Sequence, residues 1–262
     1  MDESVIQGAI EHNDPALAKE ALREINMRLD SSSDQNERVY LLFSSASCYG
    51  ILGDFQEARR QLAAALDEGR GDPFAQVSFD FGTGLLFQRE GNYAKALDGF
   101  STTLSTHSHQ LERPELRFMY EDIQQRRAFL SVTLSRFQHA VPLLKESLSF
   151  DLDKETRSGV LASLGLCYLE LKDYELARDR FLEAITIGLT TEWQGRAHFH
   201  LGIAYFYMDM IQEAKQEFLL SEKAATVYEL PVLDIYAWLS SISKRLGETS
   251  ESERYARMSK RN

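Results

Sequence analysis

LASLGLCYLELKDYELARDRFLEAI, residues 161–185, carries two apolar runs separated by a polar break. Leu161, Leu164, Gly165 and Tyr168 precede the polar pair Lys172 and Asp173; Tyr174, Ala177, Phe181 and Ala184 follow it. Apolar residues at i, i+3, i+4 and i+7 mark one face of a helix, and a polar break between two such runs marks a turn. The stretch therefore reads as a helix hairpin. Downstream the pattern returns as Leu201, Gly202, Tyr205, Asp209, Ala214, Phe218 and Ser221. Upstream it appears as Gly84, Gly91, Tyr93, Ala96 and Phe100, and before that as Ala46, Gly53, Phe55, Ala58, Leu62 and Ala65. Two weaker copies are Ala128, Ser135, Phe137, Ala140, Leu144 and Ser240, Gly247, Ser252, Ala256; a half copy, Asn13, Pro15, Ala18 and Leu22, opens the chain.

The alanine-type site falls at 58, 96, 140, 177, 214 and 252, spacings of 38, 44, 37, 37 and 38, and in each full copy a small residue stands twelve positions earlier. A fixed period of this size is the signature of a repeat architecture. Glycine inside a helix costs about 1 kcal/mol relative to alanine, so its recurrence at 84, 165 and 202 points to close helix packing.

These motifs resemble the tetratricopeptide repeat family, whose pattern of Leu-Gly, Tyr, Ala and Phe the copies at 161–184 and 198–221 follow most closely. The resemblance implies an all-α, right-handed α-solenoid of about six antiparallel helix hairpins. Residues 1–35 are expected to form N-terminal capping helices and residues 36–262 the solenoid, with the last helix, near 252–260, as its C-terminal cap. Three features depart from the family: the spacing exceeds its usual length, the closing proline is absent, and Asp80 and His198 stand where a bulky apolar residue is usual. Pro15, Pro73, Pro114 and Pro231 fall where a loop would deliver the chain into a helix, but Pro142 lies inside one, predicting a kink or a late start. The residues behind the spacing of 44 fall within 102–114 and read as a surface loop.

Apolar residues make up 44% of the 262-residue chain and charged residues 26%, enough for a packed interior. Forty acidic against twenty-nine basic residues give a net charge of −11, so neither nucleic acid nor an anionic membrane is expected as a partner. The six basic and three acidic residues from Lys244 onward leave this end at +3 and the rest at −14, an acidic body that would steer a basic region of a partner. The opening residues, Met1 to Ser4, carry neither the basic nor the apolar part of a signal peptide, and the longest apolar stretch, 159–171, is too short to cross a bilayer. The expectation is a cytoplasmic protein whose mature chain starts at Met1, without membrane insertion.

Cys48 and Cys167 hold equivalent places in their copies and read as small buried residues, not as a disulfide or a reactive thiol. The pairs His107 with His109 and His198 with His200 lack the further ligands that a metal site needs. No dinucleotide, Walker-type, zinc-protease or nucleophile-elbow segment occurs, so no catalytic residue, metal or cofactor is expected and the chain reads as a non-enzyme.

The candidate site is the groove face of the first helices, at positions −3, +1 and +4 from each small residue and along the adjoining row. This yields Phe43, Phe81, Phe129, Phe199 and Phe206, with Arg126, His200 and Trp238 beside them and Tyr40 and Arg196 one turn earlier. The middle of the stripe, Leu85, Leu166 and Ile203, reads equally well as packing between neighbouring hairpins. Large aromatic and arginine side chains on an open concavity commonly anchor a partner. The sequence thus points to a protein-interaction module or adaptor that takes a peptide or an amphipathic helix. The family's carboxylate clamp uses a lysine and an asparagine where this chain has Phe43, Ser47, Phe81 and Leu85, so that mode is not expected. A second reading is a ligand- or peptide-responsive regulatory protein, similar to bacterial peptide-pheromone receptors built on longer repeats of this type.

Overall fold

Capping and turn chemistry set the helix boundaries before any packing is considered. The computed structural model describes residues 3–228 and 232–260, so Pro231 lies outside the described residues. Among the described residues there are fifteen α-helices, a 3₁₀ turn at Pro114–Leu116 and no strand. The chain divides into two compact units, residues 1–134 and 135–262, at the turn of the third repeat copy. In the first unit α1 (Glu3–His12) pairs with α2 (Pro15–Ser31), α3 (Gln35–Ile51) with α4 (Phe55–Glu68), and α5 (Pro73–Arg89) with α6 (Tyr93–Thr106). A four-residue helix, α7 (Ser108–Leu111), and the 3₁₀ turn lead into α8 (Arg117–Thr133), which packs on α6. In the second unit α9 (Phe137–Ser147) packs on α10 (Lys154–Glu170). There α10 pairs with α11 (Tyr174–Ile187), α12 (Thr191–Tyr207) with α13 (Ile211–Tyr228), and α14 (Val232–Arg245) with α15 (Thr249–Met258).

Each copy carries one left-handed residue between its two helices, five positions before the alanine-type site. These are Asn13, Gly53, Gly91, Ser135, Lys172, Asp209 and Gly247, with φ between 51° and 79°. The next amide then donates back to a carbonyl of the first helix, Asp54 to Tyr49 at 2.9 Å and Asp173 to Tyr168 at 2.8 Å, which satisfies a terminal carbonyl that would otherwise be orphaned. At the following helix start Asp54 accepts from the Glu57 amide at 3.1 Å and Asn92 from that of Lys95 at 3.4 Å.

The hairpin interiors follow a rule of sixteen residues. A Cβ placed on Gly165 would stand 3.0 Å from Phe181, and one on Gly202 would stand 3.0 Å from Phe218. Where the first-helix residue is larger the partner is smaller: Ala46 lies in one buried cluster with Leu62. In the last hairpin the small site is Ser240, which bonds across to the alanine-type site. Its hydroxyl donates to the Ser252 carbonyl at 2.9 Å, and the Ser252 hydroxyl donates to the Ser240 carbonyl at 3.0 Å. First helices bury residues around much of their circumference, as α10 does with Val160, Leu161, Leu164, Cys167, Tyr168 and Leu169, whereas α11 buries one row, Ala177, Phe181 and Ala184. Each fully buried phenylalanine contributes about 1.5–3 kcal/mol.

Three expectations need correction. Residues 102–114 are not a surface loop: α6 runs to Thr106, α7 follows, and His107 is only 5% exposed, its Nε2 2.7 Å from Asp80 Oδ2. That contact also accounts for Asp80 at a usually apolar position. His198 has an equivalent partner in Glu217, Nδ1 to Oε2 at 2.6 Å. Pro142 does not delay its helix: α9 starts two residues after left-handed Ser135, as the other second helices do after theirs, but spans eleven residues against fourteen in α4, α6 and α11. Without an N–H, Pro142 gives no hydrogen bond to the Gln138 carbonyl, so the helix carries less internal support. The last helix begins earlier than expected, at Thr249, and anchors itself through buried Tyr255.

Candidate functional site

The expected anchors fall in both units, and their surroundings differ. In residues 1–134, Tyr40 is 39% exposed on α3, while Phe43, one turn on, packs against the cluster of Ala46, Ala58 and Leu62. Phe81 packs beside Phe100, ring centroids 5.9 Å apart, and Phe129 is half-buried on α8. Leu85, read as either packing or groove, lies against the same buried cluster as Phe81. Beside these residues opens a cleft of about 440 Å³. Its floor includes Leu62, Leu85 and Leu86, and its polar wall is Asn13, Gln88, Arg89, Tyr93 and Arg126. Arg126 donates from Nε to Asp122 at 2.9 Å and from a terminal nitrogen to Gln88 at 3.3 Å. Arg89 donates to the Asn13 side-chain oxygen, and burial together with the charge of Arg126 holds its pKa below the usual arginine value.

In residues 135–262 four of the five anchors join one aromatic network. His200 stacks on Phe181 at 5.9 Å, and Phe199 meets His200 edge-on at 5.4 Å and Phe218 at 5.6 Å. Phe218 stacks on Trp238 at 5.5 Å, and Trp238 meets Phe206 edge-on at 5.1 Å. These rings are part of the packing around Phe218 and Leu239 as well as part of the surface stripe. Arg196, exposed, lies over the Trp193 ring at 5.4 Å. Arg196, Phe199 and His200 line a pocket of about 230 Å³ with Ser221, Asp234 and Ile235. Burial, and then the Arg196 charge, push the His200 pKa down to about 4, and its Nδ1 is buried without a hydrogen-bond partner among the described residues.

Sequence reading missed Arg89 and Asn13. Arg89 stands five residues after Gly84, off the −3, +1, +4 rows, and Asn13 reaches the cleft only because the α1–α2 hairpin closes over α3. The left-handed turn residue was a signal for the position of Asn13, but nothing in the sequence pairs it with Arg89. Both cysteines are free and buried, burial pushing their thiols up to about 11 for Cys48 and about 12 for Cys167. His109 is exposed and does not join His107. Among the described residues no group of three or more His, Cys, Asp or Glu side chains could hold a metal ion, and no helix is long and apolar enough to cross a membrane.

Antiparallel hairpins with a left-handed turn, a glycine-to-phenylalanine contact and a first helix buried around much of its circumference define an all-α repeat protein of the tetratricopeptide-like solenoid class. Residues 158–187 match the tetratricopeptide repeat family model. Among solved structures, the apo form of RapI superposes with a TM-score of 0.79 at 13% identity, covering 97% of this chain and 73% of that one. BtubC from P. vanneervenii gives 0.63 at 18% identity over 84% of this chain and 92% of its own. Cut9 with Hcn1, an APC/C hetero-tetramer, gives 0.61 at 15% identity over 97% of this chain and 44% of that one. At such identities the likeness is one of fold. No curated protein matches the sequence.

Proposed function

We propose that this chain is a non-enzymatic interaction module that holds a peptide or an amphipathic helix against its first-helix faces. The observation that carries the reading is the accessible part of the stripe: exposed Tyr40 on α3, half-buried Arg126 in the wall of the larger cleft, and exposed Arg196 with half-buried Phe199 in the lining of the smaller pocket. Aromatic and arginine side chains next to concave, partly apolar pockets are the usual anchors of binding energy. The tetratricopeptide match and the repeat-protein neighbours support an interaction role.

Anchors must be tested where they do not also hold the core. Phe81 and Phe199 contact Phe100 and Phe218, so a charge there would disturb packing. Tyr40→Ala with Arg126→Glu, and separately Arg196→Glu, leave those contacts in place. Loss of a bound peptide in either variant with an unchanged melting temperature supports the reading; unaltered binding removes the stripe from it.

A second reading, a ligand-responsive regulatory protein, draws support from the 37–38 residue spacing and from likeness of fold along 97% of the chain to a structure described as an apo form. It requires the radius of gyration in small-angle scattering to change when a peptide binds. A bound peptide that leaves it unchanged speaks against this version.

A further inference from the structure

Two guanidinium groups face the cleft of residues 1–134, and their charges are not equally met. Arg126 is held by the Asp122 carboxylate at 2.9 Å. Arg89 meets only the neutral side-chain oxygen of Asn13 among the described residues, although the chain carries forty acidic residues. The charged neighbour that lowers the Arg89 pKa is a second cation, Arg126, and Arg89 stands exposed at the rim of the cleft that both line. A Cβ on Gly50 would stand 2.9 Å from Leu86 and 3.4 Å from the Arg89 stem, so this side of the cleft is tightly set. The guanidinium belongs to the polar wall of the cleft, where the amide of Gln88 and the hydroxyl of Tyr93 offer further donors, above a floor that includes Leu62, Leu85 and Leu86. A guanidinium without a carboxylate partner beside a second one, at the polar rim of a cleft with an apolar floor, has the chemistry of a site that takes an oxyanion in planar, paired hydrogen bonds.

We infer that this cleft is an oxyanion site, receiving a carboxylate or a phosphate group between Arg89 and Arg126. Asn13 holds the Arg89 fork in place until the anion arrives, and Asp122 keeps Arg126 oriented from behind. The inference rests on the interaction reading in one respect: the anionic group is carried by the bound peptide. It also changes the electrostatic expectation for the partner. The body of the chain is acidic, but this cleft selects a negative group, so a partner seated here carries an anionic group beside its apolar anchor.

The test needs no peptide. The full-length protein, labelled with nitrogen-15, is titrated with sodium phosphate and separately with sodium acetate at constant ionic strength held with sodium chloride, and the arginine Nε–Hε resonances are followed. Arg89→Gln and Arg126→Gln assign the two signals, and Arg60→Gln on α4, whose side chain is 66% exposed, serves as control. The expected result is a saturable shift of both signals with at least one anion, the stronger arm telling phosphate from carboxylate. Either Gln variant should weaken that binding tenfold or more, and the Arg60 variant should not. A linear, non-saturating response to both anions in the wild type overturns the inference, whether or not the variants fold. So does undiminished binding by both folded single variants, each read on the arginine signal that remains. If neither anion binds while a peptide is still lost on Arg196→Glu, the anion site fails alone; if an anion binds and no peptide ever does, the interaction reading fails alone.

Discussion

Gly84 on α5 and Phe100 on α6 are packed so closely that a Cβ added to Gly84 would stand 2.6 Å from Phe100 Cε1. The pair is the tightest of the three glycine-to-phenylalanine contacts, the other two measuring 3.0 Å. Alanine would gain about 1 kcal/mol of helix propensity at an exposed site, but here the phenyl ring must move within a filled interior. Gly84→Ala is expected to destabilise the protein by about 1–3 kcal/mol in urea unfolding. Adding Phe100→Leu recreates the alanine-with-leucine pairing of Ala46 and Leu62, so the double variant should be less destabilised than the sum of the single ones. Simple additivity would show that the two residues are not coupled.

The seven left-handed turn residues invite a second comparison. Lys172, at φ 64°, holds a conformation that costs a non-glycine residue about 1–2 kcal/mol, whereas Gly53, at φ 79°, does not carry that cost. Lys172→Gly should therefore stabilise the protein by up to about 1 kcal/mol once the extra entropy of glycine in the unfolded chain is deducted, and Gly53→Ala should destabilise it by a similar amount. No atom lies within 4 Å of the place a Cβ would take on Gly53, so packing does not reverse the sign there. Denaturant midpoints of the two variants, moving in opposite directions, check this.

His200 gives the stability a pH dependence of known sign. Its folded pKa, about 4, lies below the 6.5 of an unperturbed imidazole, so the unfolded chain takes up a proton first as the pH falls. The stability it supplies in the neutral form is present above pH 6.5 and is lost progressively between 6.5 and 4, to a total of roughly 3 kcal/mol. His200→Phe retains a ring to stack on Phe181 and should lose less stability than the wild type between pH 7 and pH 5. Equal losses in the two proteins would show that the imidazole is hydrated in the folded state.

Much of this architecture was written in the sequence because the repeat states it six times. The small residue, the alanine-type site twelve positions on and the turn between them are local features, and Gly165, Ala177 and Lys172 do what their spacing implies. Contacts between residues distant along the chain were not legible. Asp80 reads as an anomaly in an apolar row until His107, 27 residues away, turns out to be buried against it. For the same reason the segment around His107 looks like a loop: its polar composition hides the one residue that is sequestered. The stripe residues lie at the expected helical positions, but their dual role was not visible, since Phe199 and Trp238 are also packed through Phe218. Arg89 and Asn13 meet 76 residues apart, beyond any periodic rule.

The most direct test of the interaction reading is a selection of displayed peptides on the full-length protein, followed by titration of the best binder against three variants. Tyr40→Ala with Arg126→Glu and Arg196→Glu alter the stripe; Arg60→Glu alters an exposed site on α4. The account predicts that at least one stripe variant raises Kd tenfold or more, about 1.4 kcal/mol, while Arg60→Glu leaves it unchanged. Equal affinity for the wild type and all three variants, each with an unaltered melting temperature, would contradict it.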